Sequence, residues 1–243
     1  MELDEKIFER YLDDGVGVFR VYRWERPSLT YGFSQNVQDE INLQQCAADR
    51  IQIAKRITGG GILFHDNEIT YSFVCSKDDV GEPQSEIVAY RNICKFLMRF
   101  YESLGLVSKF ALEDKNFKDR CAAHQLCSAS YEKYDIVIGG RKIGGNAQKR
   151  KRQVVFQHGS IPLSVNWDLL RKYAHSLPAD ISSQVTSLSA ELKVVPQKDV
   201  LEQKLIDAFA DTFNVEFLDY RHCEPEGRSN LNKRLRSLLR ART

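Results

Sequence analysis

The chain changes its apolar period several times, and each change marks an element. Residues 17–23 (GVFRVYR) alternate and are rich in β-formers, which predicts a strand. Residues 28–33, following Arg26-Pro27, predict a second strand. Residues 52–56 and 69–75 (ITYSFVC) predict strands on either side of a glycine-rich loop. Between residues 85 and 104 the period lengthens. Ala89, Ile93, Leu97, Phe100 and Leu104 fall near helical spacing, with Ser85 as N-cap and Gly105 as the stop. Residues 113–133 are polar and irregular. Residues 134–138, 141–145 and 153–160 predict three further strands, with Gly139-Gly140 as a hairpin turn between the first two. Residues 199–213 predict a second amphipathic helix, with Leu201, Leu205, Ala208, Phe209 and Phe213 on one side. Leu231, Leu235 and Leu238 at helical spacing predict a basic C-terminal helix over residues 228–243. Strands and helices mix without a βαβ rhythm, so the expected class is α+β (mixed α/β) with a mixed sheet, in one domain over residues 1–243.

Composition narrows the function. The 243 residues carry a net charge of +2, which names neither nucleic acid nor an anionic membrane as main partner. No apolar run approaches the roughly 20 residues of a membrane helix. The acidic start, Met1-Glu2-Leu3-Asp4, has no apolar core of a signal peptide. Cys46, Cys75, Cys94, Cys121, Cys127 and Cys223 form no CxxC pair, so free thiols in a reducing cytoplasm are expected. No His or carboxylate pair has metal-ligand spacing, so no metal is expected. The standard nucleotide loops and the hydrolase elbow are missing from the sequence.

Two glycine-bracketed segments carry the candidate chemistry. In the first, Lys55-Arg56-Ile57-Thr58-Gly59-Gly60-Gly61 runs into Ile62-Leu63-Phe64-His65-Asp66. Three residues without a Cβ let the backbone press against a ligand, and its N–H groups beside Arg56 suit an acyl or phosphoryl group. In the second, Gly139-Gly140-Arg141-Lys142-Ile143-Gly144-Gly145-Asn146-Ala147-Gln148, a strand puts Lys142 on one face with Gly144 and puts Arg141 and Ile143 on the other, so Lys142 can offer its charge to a carbonyl or carboxylate oxygen. Gln157-His158-Gly159-Ser160 closes the next strand. His158 and His65 each have two readings, a general base or a hydrogen-bonded core histidine, and nothing local decides between them.

These segments resemble a family. Arg-x-Thr-Gly-Gly-Gly-x-x-Phe-His-Asp and Gly-Arg-Lys-Ile-Gly-Gly-Asn-Ala-Gln, with Gln-His-Gly-Ser-Ile after it, look like the two signatures of the lipoate–protein ligase and octanoyltransferase superfamily, which includes biotin ligases. The likeness runs from about Met1 to Leu163. It implies a class II biotin-ligase-like catalytic domain that attaches an eight-carbon acyl group to a lysine of a lipoyl domain. Lys142 matches the catalytic lysine. Arg56, Thr58, Gly59, Gly60, Gly61 and His65 match the wall of the acyl pocket, and Gly144, Gly145, Asn146, Ala147, His158 and Gly159 belong to the second signature.

The resemblance leaves two branches. Cys127 precedes Lys142 by the spacing of the octanoyltransferases that use a cysteine nucleophile, whereas Gly59-Gly60-Gly61 and Phe64-His65-Asp66 look more like the ligase form. On the first branch Cys127 takes octanoyl from acyl carrier protein and passes it to a lipoyl domain, such as glycine cleavage H protein or a 2-oxoacid dehydrogenase E2. No cofactor is needed there, and the enzyme is expected to be a cytoplasmic monomer. On the second branch an ATP-dependent lipoate–protein ligase uses ATP and Mg²⁺ to form a lipoyl adenylate. A remote third reading is a non-catalytic acyl- or RNA-binding module. For the acidic carrier, Arg141, the run Lys149-Arg150-Lys151-Arg152 and the C-terminal segment are candidate docking faces; a solvated turn is the other reading of that run.

Overall fold

A computed structural model of the chain describes residues 1–81, 86–115, 133–175, 177, 179–219 and 234–241. The strands are β1 (Val18–Tyr22), β2 (Ser28–Tyr31), β3 (Gln52–Lys55), β4 (Leu63–His65), β5 (Glu68–Ser76), β6 (Ser108–Phe110), β7 (Ile136–Ile138), β8 (Arg141–Ile143), β9 (Gly145–Lys151), β10 (Val154–Pro162), β11 (Val185–Thr186), β12 (Val215–Asp219) and β13 (Arg234–Ala241). The helices are α1 (Glu2–Asp14), α2 (Val37–Glu40), α3 (Leu43–Ala48), α4 (Glu86–Glu102), α5 (Trp167–Tyr173), α6 (Ile181–Gln184), α7 (Leu188–Glu191) and α8 (Lys198–Phe213). The class is α+β, as expected. Every strand and helix predicted between residues 17 and 213 has its counterpart, with ends shifted by a few residues.

Three sheets organise the molecule. The largest is antiparallel, in the order β12-β13-β1-β5-β10-β9. A second, β11-β8-β7-β6, is antiparallel except for the β11–β8 pair, and a third, β3-β2-β4, joins a parallel to an antiparallel pair. β5 lies centrally in the large sheet and is buried on both faces, which is why its sequence reads as a nearly continuous apolar run. Its odd-numbered residues Ile69, Tyr71, Phe73 and Cys75 join the main core with α4 and α8. Phe19 stacks on Phe209 with centroids 3.9 Å apart, and Phe96 meets Tyr71 edge-on at 5.0 Å. Val74 on the opposite face packs with Phe156 beneath Ile7 and Phe8 of α1. Its neighbours Thr70 and Ser72 leave that face polar.

Two expectations are corrected. Residues 234–241 are a strand and not a helix; the remaining residues of the expected 228–243 helix lie outside the described ones. β13 pairs antiparallel with both β1 and β12. Without it the backbone groups along that side of β1 would lack ladder partners, and this non-local demand outweighs the helical spacing of the leucines. The basic run is no solvated turn either: Lys149, Arg150 and Lys151 lie in β9, and only Arg152 occupies the turn, at φ 53°. Lys149 sits over the Phe8 ring at 5.1 Å, and Arg150 donates to Gln148 Oε1 at 2.6 Å. Arg141 pairs with Glu191 at 2.8 Å.

Gly144 makes the bend from β8 into β9. Its φ is 72°, and a Cβ there would lie 2.1 Å from the Ser160 carbonyl oxygen. The expected continuous strand over residues 141–145 therefore breaks at Gly144. Gly144→Ala is expected to cost about 3 kcal/mol of unfolding free energy, measured by urea titration followed by circular dichroism.

Candidate active site

Two buried networks, each built on a histidine, hold the site. The first begins at Arg56, directly after β3. Its side chain is 2% exposed and turns beneath its own loop. Nη2 donates to the Gly59 and Gly61 carbonyls at 3.2 and 2.5 Å, and Nη1 donates to Thr30 Oγ1 at 2.9 Å. A guanidinium only donates, so Thr30 accepts from it and directs its own proton to His65 Nε2, 2.7 Å away. His65 then carries its proton on Nδ1, which donates to Glu68 Oε1 at 2.7 Å. Glu68 also accepts from Thr70 and Ser160, each at 2.5 Å. Burial alone would raise the Glu68 carboxyl; the neighbouring His65 and these donors outweigh it and hold the pKa below the usual carboxylate range. Trp24 stacks on His65 at 4.1 Å and donates its indole N–H to Thr70.

The second network begins at Asp4 in the first turn of α1, which is fully buried. Arg20 Nη1 donates to it at 2.5 Å and Ser72 Oγ at 2.9 Å, with His158 Nδ1 3.7 Å away. Burial opposes the charged carboxylate, but His158 and Arg20 prevail and lower the Asp4 pKa to about 2. Burial pushes the His158 imidazole below its ordinary value despite Asp4. His158 Nε2 lies 2.6 Å from Thr58 Oγ1, so α1 and β10 together hold the start of the glycine loop. The loop is also pressed against β2: a Cβ on Gly32 would lie 2.0 Å from the Gly60 carbonyl oxygen.

Two adjoining clefts open beside these networks and share Leu63, Gly145 and Ser160. The inner one, about 350 Å³ including its open mouth, is lined by seven residues chosen from the sequence, Arg56, His65, Gly145, Asn146, Ala147, His158 and Gly159, together with Met1, Leu63, Thr70 and Ser160. The outer one, about 710 Å³ including its open mouth, lies between β4, Gly144-Gly145 and α5. Asn146 is held from behind, where Tyr71 donates to its Oδ1 at 2.6 Å and itself accepts from Gln157. Other expected residues sit differently. Thr58, Gly59, Gly60 and Gly61 line neither cleft; the loop acts through its carbonyls on Arg56. Lys142 also lines neither. It is 2% exposed and its Nζ lies 2.8 Å from Asp135 Oδ2. Cys127 lies outside the described residues. Asp4, Thr30, Glu68 and Asp135 were missed, because in sequence each is an ordinary polar residue; Asp4 and Thr30 find their partners far along the chain, whereas Glu68 meets His65 and Asp135 meets Lys142 within a few residues, through turns that no spacing rule announces.

Residues 1–213 match the family described as the Lipoyl protein ligase A/B catalytic domain, and the chain belongs to that family. Within it, the chain is 33% identical over 226 residues to Octanoyltransferase LipM of Oceanobacillus iheyensis, covering 89% of this chain and 81% of that one. Octanoyltransferase LipM of Clostridioides difficile is 30% identical over 231 residues, covering 90% and 84%. Among solved structures, lipoate-protein ligase A bound with ATP superposes with a TM-score of 0.67 at 24% identity, over 86% of this chain and 77% of that one. A bipartite lipoate protein ligase from Thermoplasma acidophilum superposes at 0.65 with 19% identity, over 88% and 80%. These two establish the fold. No helix among the described residues is long and apolar enough to cross a membrane.

The networks make stability depend on pH in two windows. His158 in the folded chain titrates below its ordinary 6.5, so the unfolded chain takes up that proton first and stability falls as pH drops below 6.5. Asp4 titrates near 2 against an ordinary 3.8, so its contribution is present above pH 3.8 and is lost as pH falls toward 2. Urea midpoints recorded from pH 8 to pH 2.5 are expected to fall in both windows. In His158→Gln the upper slope is expected to disappear and the lower one to shrink, because His158 is the largest of the groups that lower the Asp4 pKa and Arg20 then holds the carboxylate without it.

Proposed function

We propose that this chain transfers an octanoyl or lipoyl group to the lysine of a lipoyl domain, as an acyltransferase of protein lipoylation. The observation that carries this reading is the 33% identity to Octanoyltransferase LipM over most of both chains. The geometry supports it in kind: a mostly apolar cleft lined by Gly145, Asn146 and Ala147 sits on a hydrogen-bonded floor.

In this reading Cys127 is the nucleophile and octanoyl acyl carrier protein the donor. A thiol attacks as its thiolate and has an ordinary pKa of about 8.5, and a cation beside it favours the reactive form, the role this reading gives Lys142. The thiolate adds to the donor thioester carbonyl, the donor's thiol leaves, and an acyl-enzyme thioester remains. Donors at the oxyanion stabilise the charge that develops there, a role this reading gives to backbone N–H groups and to Lys142, whose ammonium must turn from Asp135 to take it. The acceptor lysine then attacks, the amide forms and Cys127 is released. The thioester is already activated, so ATP is not consumed. The acceptor is a domain of the glycine cleavage H protein or 2-oxoacid dehydrogenase E2 kind.

Cys127→Ser is expected to lower octanoyl transfer from carrier protein by roughly a thousandfold or more, in a mass-spectrometric assay of the acceptor domain. Wild type mixed with octanoyl carrier protein alone is expected to gain one octanoyl mass on Cys127. An active Cys127→Ser chain with no trapped adduct would remove the cysteine route. Pyrophosphate release with lipoate and ATP would mark the ligase reading instead.

A further inference from the structure

The inner cleft accounts for an acyl chain, and the outer cleft is left without an occupant. Its walls are apolar: Phe64, Pro162, Val165, Trp167, Leu170 and Val185. Most of its polar groups are already engaged. Asn67 donates to Ser164 Oγ at 2.7 Å, Asn166 caps α5 by accepting from Leu169 N at 3.0 Å, and Glu68 takes three donors. Asp66 is different. Among the described residues its carboxylate has no hydrogen-bond or ion-pair partner, and among them no Lys or Arg lines this cleft. The uncommitted charge of the outer cleft is therefore negative.

Such a cleft repels a phosphate or carboxylate and suits a cation carried on an apolar stem. The reaction proposed above has one substrate of that chemistry, the lysine of the acceptor domain. Resting on that reading, we infer that the outer cleft is the channel for the acceptor lysine and that Asp66 is its ionic contact. The four methylenes of the lysine lie along the apolar walls. The carboxylate draws the ammonium in and by itself opposes its deprotonation, and the desolvating walls offset this in favour of the neutral amine that must attack. The junction at Leu63, Gly145 and Ser160 joins this channel to the cleft that holds the acyl chain. One proton of the ammonium goes to water. The amine nitrogen then bonds to the thioester carbon, the carbon–sulfur bond breaks, and a second proton ends on the departing thiolate.

The test uses the full chain, octanoyl carrier protein as donor and an isolated lipoyl domain as acceptor, with KM measured for each. In Asp66→Asn the KM for the acceptor is expected to rise about tenfold, and in Asp66→Lys about a hundredfold, with the KM for the donor within twofold of wild type. Asp66→Glu is expected to restore the acceptor KM to within about threefold, a rescue that a purely structural role would not give. Thermal unfolding checks that each variant is folded. Wild-type turnover with both Asp66→Asn and Asp66→Lys at the wild-type acceptor KM overturns the assignment alone. A change confined to the donor KM also overturns it, because the cleft would then serve the donor arm. A wild-type chain that transfers no octanoyl group removes the reading of the previous section and this assignment with it.

Discussion

One buried guanidinium governs the shape of the site. Arg56 has almost no access to water, and an ionised group in that position is tolerated only when acceptors gather around its terminal nitrogens. Gly59 and Gly61 supply carbonyls and Thr30 a hydroxyl. The loop therefore wraps the charge that precedes it, and its place against β2 requires a bare backbone at Gly32. Removing the guanidinium would leave those carbonyls without their donor, so charge and loop stand or fall together.

The rest of the floor follows from that clamp. Thr30 passes the donor polarity of Arg56 on to His65, and His65 passes it to Glu68, so the proton position on the imidazole is set from the loop side. Asp4 and His158 repeat the arrangement on the neighbouring strands and end on Thr58 of the same loop. These histidines come from β4 and β10, which lie in different sheets, and their carboxylate partners from β5 and α1. The networks thus lock the small sheet β3-β2-β4 onto the large one. The clefts open where that junction meets the bend at Gly144. A rigid polar floor beneath apolar walls keeps a reacting carbonyl in place without reorganisation during the reaction.

Much of the fold was legible because the relevant forces are local or periodic. The period-two segments around Phe19 and Tyr71 and the helical faces of α4 and α8 point their apolar residues into one core, and each can do so only in the element its spacing allows. The terminal segment failed for the complementary reason. Leu231, Leu235 and Leu238 fit a helix, yet residues 234–241 complete the hydrogen bonds of β1 and β12, and the β1 part of that requirement is written some 200 residues away in the chain. Lys149 and Arg150 failed in the same way, because a run of charge says nothing about whether a strand edge waits for it.

The sequence by itself settled the class of fold, the two glycine segments and the residue types that crowd the inner cleft, since glycine freedom, charge and apolar period are properties of neighbouring residues. Only the tertiary structure decided what those residues do. It turned Arg56 inward to its own loop, set Lys142 against Asp135, made His65 and His158 hydrogen-bonded supports and left Asp66 without a partner among the described residues. Each of these outcomes depends on which carboxylate, hydroxyl or carbonyl the fold brings into hydrogen-bond reach, whether it lies a few residues away, as Gly61 does from Arg56, or a hundred, as Thr58 does from His158, and that is fixed by how the loops bend and the three sheets pack.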